Sequence, residues 1–188
     1  MERAVVMIGI GGQGIQLVAK LLAQAAIREG RQVMMFGLFM GMIRGGSSES
    51  TVVIADREIV SPPIVPSAWA MLAMHPEGLA ALGRKAEPGG VLVFNSSLVT
   101  APPAWDGISC VPVPATEMAK AIGQPMGASM IVLGALAAAT GLVADASLHA
   151  ALGEVLPPHR RKLIDANTLC IRRGAEHVAP AERVPAWG

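Results

Sequence analysis

Aromatic side chains make up only 3% of this chain and charged ones 15%, against 52% hydrophobic residues. So few charges leave little polar surface. Soluble monomers rarely expose large apolar patches, so another subunit is expected to cover part of the outside. The formal net charge of +1 argues against nucleic acid as the main partner. Cys110 and Cys170 lie far apart with no CxxC and no Cys/His spacing, which excludes a structural zinc or an iron–sulfur cluster held by this chain alone. Both read as small buried hydrophobes of a reducing cytoplasm. No charged leader followed by an apolar core and a small-residue cleavage site opens the sequence, so no signal peptide is expected. Paired carboxylates, a Ser/His/Asp arrangement and HExxH are also missing. No catalytic residue and no metal ligand is therefore expected on this chain.

One uncharged run, Ala121 to Ala144, is long enough to cross a bilayer. It is rich in alanine and interrupted by Gly123, Pro125, Gly127, Gly134 and Gly141. Its centre, Ser129 to Thr140, reads instead as a close-packed helix buried between subunits or against a sheet, and no membrane span is expected. A length of 188 residues fits one domain with a sizeable core.

What is present begins with Ile8-Gly9-Ile10-Gly11-Gly12-Gln13-Gly14. Ala4 to Ile10 reads as a buried parallel strand. Ile15, Leu17, Val18, Leu21, Leu22 and Ala25 recur at helical spacing until Gly30, a residue suited to the C′ position. Gly9-x-Gly11-x-x-Gly14 thus satisfies the dinucleotide fingerprint in strand–turn–helix context, with glycines for a tight turn, close approach of a phosphate and tight helix–sheet packing. The N-terminus of the helix offers unpaired N–H groups and a positive dipole end to an anion. A dinucleotide site also needs an acid about 20 residues on, at the end of the second strand. Gln32 to Phe36 is that strand, yet no acid follows until Glu49. Three readings stay open: a nucleotide site, glycines serving only turn and packing, or a phosphate-bearing ligand or partner at the turn.

The segment Gly37 to Ser50 reads as a loop dense in Gly, Met and Ser. Within it Arg44-Gly45-Gly46-Ser47-Ser48 suits an anion, since backbone amides and a guanidinium can face one ligand together. Leu38, Phe39, Met40, Met42 and Ile43 are expensive to expose, so this loop is expected to pack on something. Further strands are read at Thr51–Ala55, Ala70–Met74, Val91–Phe94 and Cys110–Val113. Asp56-Arg57 turns into a short Ile59-Val60, and Ser61-Pro62-Pro63 stops regular structure. Pro88-Gly89-Gly90 is a turn. Helices are read from Glu77 to Lys85, from a Thr116 cap to Ile122, over Ser129 to Thr140, from an Asp145 or Ser147 cap to Leu156, and from His159 to Arg173 with Gly174 as the stop. Strands alternating with helices predict an α/β, Rossmann-like three-layer domain with a largely parallel sheet. Asn95-Ser96-Ser97 closes a strand, where such folds place ligand contacts, though turn capping explains it as well. His159-Arg160-Arg161-Lys162 with Arg172 and Arg173 reads as a solvated face, with a polyphosphate contact as the lesser reading. From Ala179 the tail, residues 179–188, looks irregular, with Trp187 suited to docking on a partner.

Gly9-Ile10-Gly11-Gly12-Gln13-Gly14 leading into Leu22-Ala23-Gln24-Ala25-Ala26, then Gly30 and Arg44-Gly45-Gly46, resembles the gamma subunit of 2-oxoacid:acceptor (ferredoxin-type) oxidoreductases. These comprise the pyruvate, 2-oxoglutarate, branched-chain oxoacid, indolepyruvate and phenylglyoxylate enzymes. The hairpin-like Val52 to Ile59, Ser61-Pro62, Asn95-Ser96-Ser97 and Leu133-Gly134-Ala135 extend the likeness over roughly residues 4 to 174, so that 1–178 reads as the gamma domain. The resemblance implies a cytoplasmic, multisubunit enzyme that decarboxylates a 2-oxoacid oxidatively to an acyl-CoA and carbon dioxide, with electrons passing to ferredoxin or another acceptor. It implies thiamine diphosphate with Mg2+ and iron–sulfur clusters on sister alpha/beta and ferredoxin-like subunits, none bound by this chain alone. It implies that the glycine turn (Gly9, Gly11, Gly12, Gln13, Gly14), the loop Arg44, Gly45, Gly46, Ser47, and Asn95 help shape the CoA or active-site entrance. Departures bear on the substrate. Met42-Ile43 stand where relatives carry an acid before the arginine, Ser67-Ala68-Trp69-Ala70 lacks an opening Asp, and Ser129 to Gly134 replaces an Asn-x-x-x-Leu-Gly pattern. The greasy Leu38 to Ile43 segment suits an aromatic oxoacid such as phenylglyoxylate or indolepyruvate. The other readings are a free-standing nucleotide-binding Rossmann-like enzyme and a non-enzymatic scaffold domain.

Overall fold

The computed structural model describes residues 1–39, 46–62, 64–101 and 104–187. Arg44 and Gly45, with Met40, Met42, Ile43 and Pro63, lie outside the described residues. In chain order the elements are β1 (Glu2–Ile10), α1 (Ile15–Arg28), β2 (Gln32–Phe39), β3 (Ser47–Ala55), β4 (Ala68–Ala73), α2 (Leu79–Lys85), β5 (Ala86–Asn95) and β6 (Ser109–Val113). There follow α3 (Ala115–Ala121), α4 (Ala128–Thr140), α5 (Asp145–Val155), a 3-10 turn (Pro158–Leu163), α6 (Ile164–His177) and a second 3-10 turn (Pro180–Glu182).

The strands form one sheet in the order β2-β3-β1-β4-β5-β6. β1, β4, β5 and β6 pair in parallel, whereas β3 runs antiparallel to both β1 and β2. β2 therefore points the same way as β1, and among the described strands β3 alone is reversed in a largely parallel sheet. The chemistry follows the connections: the α1 crossover forces a parallel return, while the short link from β2 into β3 makes an antiparallel hairpin.

Alternate residues of β1 serve opposite faces. Val5 and Met7 pack under α1, α4 and α6 with Ile54, Leu133 and Ile171. Val6 and Ile8 join Val53, Met71, Leu92 and Phe94 beneath Leu82 of α2, Val99 and Trp105. Both faces are thus covered, and the central strands read as unbroken apolar runs for that reason. The uncharged run resolves into α4, where 11 of 13 residues are buried. It lies against the sheet and crosses α6 with glycine on both sides: a Cβ at Gly134 would stand 2.0 Å from the Ile171 carbonyl oxygen, and one at Gly174 1.8 Å from that of Ile131. No described helix is long and apolar enough to cross a membrane.

Several local expectations change. The Gly37–Ser50 loop is shorter: β2 continues to Phe39 and β3 begins at Ser47, because Gly37 to Phe39 pair with Ser50 to Ser48. Val52 to Ile59 is no hairpin; β3 ends at Ala55 and its hairpin partner is β2. Pro88-Gly89-Gly90 is not a turn ahead of the Val91–Phe94 strand but lies within β5, where the register slips between Ala68 and Ala70 and Gly89 takes φ 78°. Thr116 sits inside α3 rather than capping it, and Ala144 precedes α5 without a side-chain cap from Asp145 or Ser147. Gly174 does not stop the last helix, which runs on to His177; it is the point where α6 touches α4. Residues beyond α6 fold back on the chain: the Val184 and Ala186 amides donate to the Ala139 and Thr140 carbonyls, and Trp187 donates to that of Leu142. Arg31 stacks over the Trp187 ring at 4.0 Å.

Candidate functional site

β1 ends beside β4, and the chain turns there through Gly11, Gly12 and Gln13 into α1. β3 takes the other side of β1, so this turn stands at the point where neighbouring connections leave in opposite directions. Open α/β sheets form ligand crevices at such a point, outside the strands' carboxyl ends.

Gln13 holds the turn closed. Its backbone N–H donates to the Ile10 carbonyl at 3.1 Å, and the Ile10 N–H donates to its side-chain Oε1 at 2.9 Å. Its Nε2 reaches the Met74 carbonyl just beyond β4 at 3.5 Å, and the Met74 N–H donates to the Ile8 carbonyl at 2.9 Å. Gly9 is required by this packing, since a Cβ there would fall 2.7 Å from Gln13 Oε1 and 2.8 Å from the Ile15 side chain. Gly14 takes φ 77° immediately before α1, a conformation that L side chains rarely adopt. Gly11 donates to the Gly46 carbonyl at 2.9 Å, which ties the glycine turn to the end of the Arg44 loop. Ser47 continues from there as the first residue of β3, opposite Ile10.

Asn95 is fully buried, and its amide serves the fold. Nδ2 donates to Thr116 Oγ1 at 2.9 Å, while the Thr116 amide donates to Asn95 Oδ1 at 3.3 Å and to Ser97 Oγ at 3.2 Å. These bonds fasten the start of α3 to the end of β5.

Two cavities flank the turn. One, of ≈ 230 Å³, lies at the strand ends, lined by Gly12, Gln13, Met74, Asn95, Thr116 and Ser129 among others. The second, of ≈ 200 Å³, lies on the helical side between α1, α4 and α6, and reaches Arg160 and Asn167. Gly12, Gln13, Met126 and Ser129 belong to both walls. Ser129 was not singled out from the sequence, and Arg160 is exposed, as the solvated-face reading expects, while also reaching this cavity; nothing local in the sequence showed that α4 and the turn before α6 converge on the glycines. Cys170 also lines the helical-side cavity, with burial raising its thiol pKa, so it is an unreactive wall. Among the described residues no group of three His, Cys, Asp or Glu is placed to hold a metal ion.

The acid expected of a dinucleotide site does not meet this turn. β3 separates β1 from β2, putting the end of β2 about 10 Å away, two strand spacings rather than one. Glu49 itself pairs with Lys85 Nζ at 2.6 Å.

The model of the pyruvate ferredoxin/flavodoxin oxidoreductase family matches residues 4–177. Ketoisovalerate oxidoreductase subunit VorA of Methanothermobacter thermautotrophicus is 30% identical over 93% of this chain, which spans only 36% of that longer protein. 2-Oxoglutarate synthase subunit KorC of Methanothermobacter marburgensis is 28% identical, with 97% of this chain and 100% of the relative covered. The solved gamma subunit of a keto/oxoacid ferredoxin oxidoreductase from Geobacter sulfurreducens superposes with a TM-score of 0.81 at 27% identity, covering 94% of this chain and 96% of that one. With the glycine turn, the reversed β3 and the full-length likeness together, the chain belongs to the pyruvate ferredoxin/flavodoxin oxidoreductase family, as a gamma-type subunit.

Proposed function

We propose that this chain serves a multisubunit, CoA-dependent 2-oxoacid oxidoreductase, in which it shapes the CoA or active-site entrance and leaves the redox and decarboxylation chemistry to sister subunits. The observation that carries the reading is the turn Gly11 to Gly14, held by Gln13, hydrogen-bonded to Gly46 and open to a cavity on each side. Such a turn presents unpaired amides and a helix dipole to a phosphate of CoA. The chain's two cysteines sit on separate elements and supply no cluster ligands, so iron–sulfur clusters and thiamine diphosphate with Mg2+ belong to the alpha/beta and ferredoxin-like partners of this reading. Bound there, thiamine diphosphate supplies the carbanion-stabilising chemistry of decarboxylation. The whole assembly is cytoplasmic in this reading.

Gentle affinity purification of the tagged chain from its host tests it. Recovery of a thiamine-diphosphate subunit and a cysteine-rich subunit, with acyl-CoA formed from a 2-oxoacid, is the expected result. A chain that emerges alone, folded and without such activity, refutes it. In the recovered complex, Arg44→Ala is expected to raise the apparent KM for CoA or lower turnover with assembly intact. Unchanged kinetics would remove Arg44 from the entrance.

A further inference from the structure

The two edges of the sheet are finished differently. β6 closes one edge with five residues, and Pro112 within it has no N–H to offer a further strand. His177 lies against the same edge, its Nε2 3.1 Å from the Pro112 carbonyl oxygen. β2 forms the other edge and has none of the usual guards, which are charge, proline and bulges. Its eight residues, Gln32-Val33-Met34-Met35-Phe36-Gly37-Leu38-Phe39, contain no charge and no proline, and they pair with β3 from end to end without a register slip. Among the described residues no hydrogen bond reaches the backbone groups that β2 turns away from β3.

Side chains repeat the point. Val33 and Met35 lean on the core beneath α1, and Met34 leans on the core of the opposite face. Each keeps part of its surface open, as does Phe36, so the edge is apolar on both faces. The flank of α1 above it matches. Gln16 packs over Gly37, whereas Gln24 and Arg28 reach Glu154 of α5 on the far side. Ile27 stands about three turns after Gln16 on the same flank and is 51% exposed.

An edge without charge meets no like-charge repulsion against itself, so a second copy is the partner it suits. Opposed residues of an antiparallel pair share a face, so a two-fold axis normal to the sheet must pass beside a single residue. Centring it on Met35 or Phe36 pairs nearly the whole strand and sends Arg31 of each copy to the far end of the other's strand. A strand of eight residues is about 27 Å long, and with α1 stacked above it the edge stands about 20 Å tall. Two copies would thus cover about 500 Å² each, about 1,000 Å² together, the lower limit for a specific interface.

We propose that β2 pairs antiparallel with β2 of a second copy of this chain, continuing the sheet across a two-fold axis at Met35 or Phe36, with Ile27 of each α1 facing the Gln16 end of the other. The inference does not rest on the CoA reading, since neither β2 nor Ile27 lines the cavities beside the glycine turn.

Sedimentation velocity of the full chain over a concentration series tests it, with Phe36→Lys, Phe36→Glu and a control, Val60→Lys. The control charges an apolar side chain that is 88% exposed between β3 and β4. Phe36 belongs to neither core, so both of its variants are expected to fold. In either register Phe36→Lys sets like charges opposite or diagonal across the axis, within about 8 Å. The expected result is a concentration-dependent wild-type dimer, association weakened at least tenfold by each Phe36 variant alone, recovery when the two are mixed, and no change for Val60→Lys. Hydrogen exchange on the wild type should show alternate β2 amides gaining protection as the dimer fills, a readout that needs no variant to fold. A wild type that stays monomeric throughout, or a dimer that neither Phe36 variant weakens, overturns the proposal. Failure of the mixed variants to recover does the same. If β2 amides are protected in the native complex but at no concentration of the chain alone, a strand of a sister subunit takes the edge and the second copy is overturned.

Discussion

Replacing Gly174 with alanine tests the architecture that brings α4 to the glycine turn. The new methyl would sit 1.8 Å from the Ile131 carbonyl oxygen, 2.7 Å from its carbon and 3.0 Å from the Ala135 amide nitrogen. All three atoms are backbone, so no rotamer change relieves the clash. Real Cβ contacts stay beyond 3.0 Å, so α4 and α6 must part by more than about 1 Å. Overpacking of this kind costs about 1–3 kcal/mol, sometimes more. Against it, alanine gains about 1 kcal/mol of helix propensity over glycine. The clash wins because it also loosens neighbouring contacts along the crossing, and a net loss of about 2 kcal/mol is expected. For a chain of this size that lowers Tm by roughly 4–8 °C. Gly153→Ala is the matched control: it is also a helical glycine, but a Cβ there meets nothing within 4 Å. It is expected to raise Tm by a degree or more, with about 0.5–1 kcal/mol gained. Differential scanning calorimetry on the two variants reads the sign of each change. Equal or same-signed shifts would refute the backbone-contact account of the crossing.

Gln13→Met keeps the length of the side chain but loses its hydrogen bonds to Ile10 and Met74. One bond of normal length and one long one point to a loss of about 1–2 kcal/mol, read as a lower Tm; an unchanged melt would mean that the turn closes without its side chain. Near the chain start, the Ser61 hydroxyl and the Val60 amide both donate to the Glu2 carboxylate, with the Ser61 hydroxyl bond the largest of the effects holding its pKa below the ordinary carboxylate value. A depressed folded-state pKa contributes stability above the unfolded value, lost as pH falls through the folded one. Ser61→Ala should therefore raise the Glu2 midpoint in an NMR titration and reduce the pH dependence of stability on the acid side, whereas an unmoved midpoint would mean that the hydroxyl does not hold the carboxylate.

Long periodic and apolar segments were legible because burial on one face or both leaves a pattern in the sequence. The α1 period from Ile15 to Ala25, the runs of β1, β4 and β5, and the uncharged α4 all followed from that logic. What failed were residues whose roles depend on a distant neighbour. Gly174 carries the composition of a helix stop, yet it is a contact with Ile131 that no local rule contains. Ser47 to Ser50 are polar enough to read as loop, and only pairing with Ile10 to Met7 on one side and with β2 on the other makes them strand. Gly89 and Gly90 look like a turn because the bulge against β4 needs the same backbone freedom as a turn does. At the site, the glycine turn was legible from its spacing. The Asn95 amide was visible as a strand-end polar group, but its commitment to Thr116 was not.

The reversed strand explains why a glycine fingerprint on this chain need not mean a dinucleotide. In a Rossmann unit the second strand lies directly beside the first, and its terminal acid closes over the ribose of the nucleotide on the first turn. Here β3 takes that place, with Ser48 and Ser47 opposite Gly9 and Ile10, and it brings Gly46 into hydrogen-bonding reach of Gly11. The ribose side of the turn is thus filled by the chain's own hairpin.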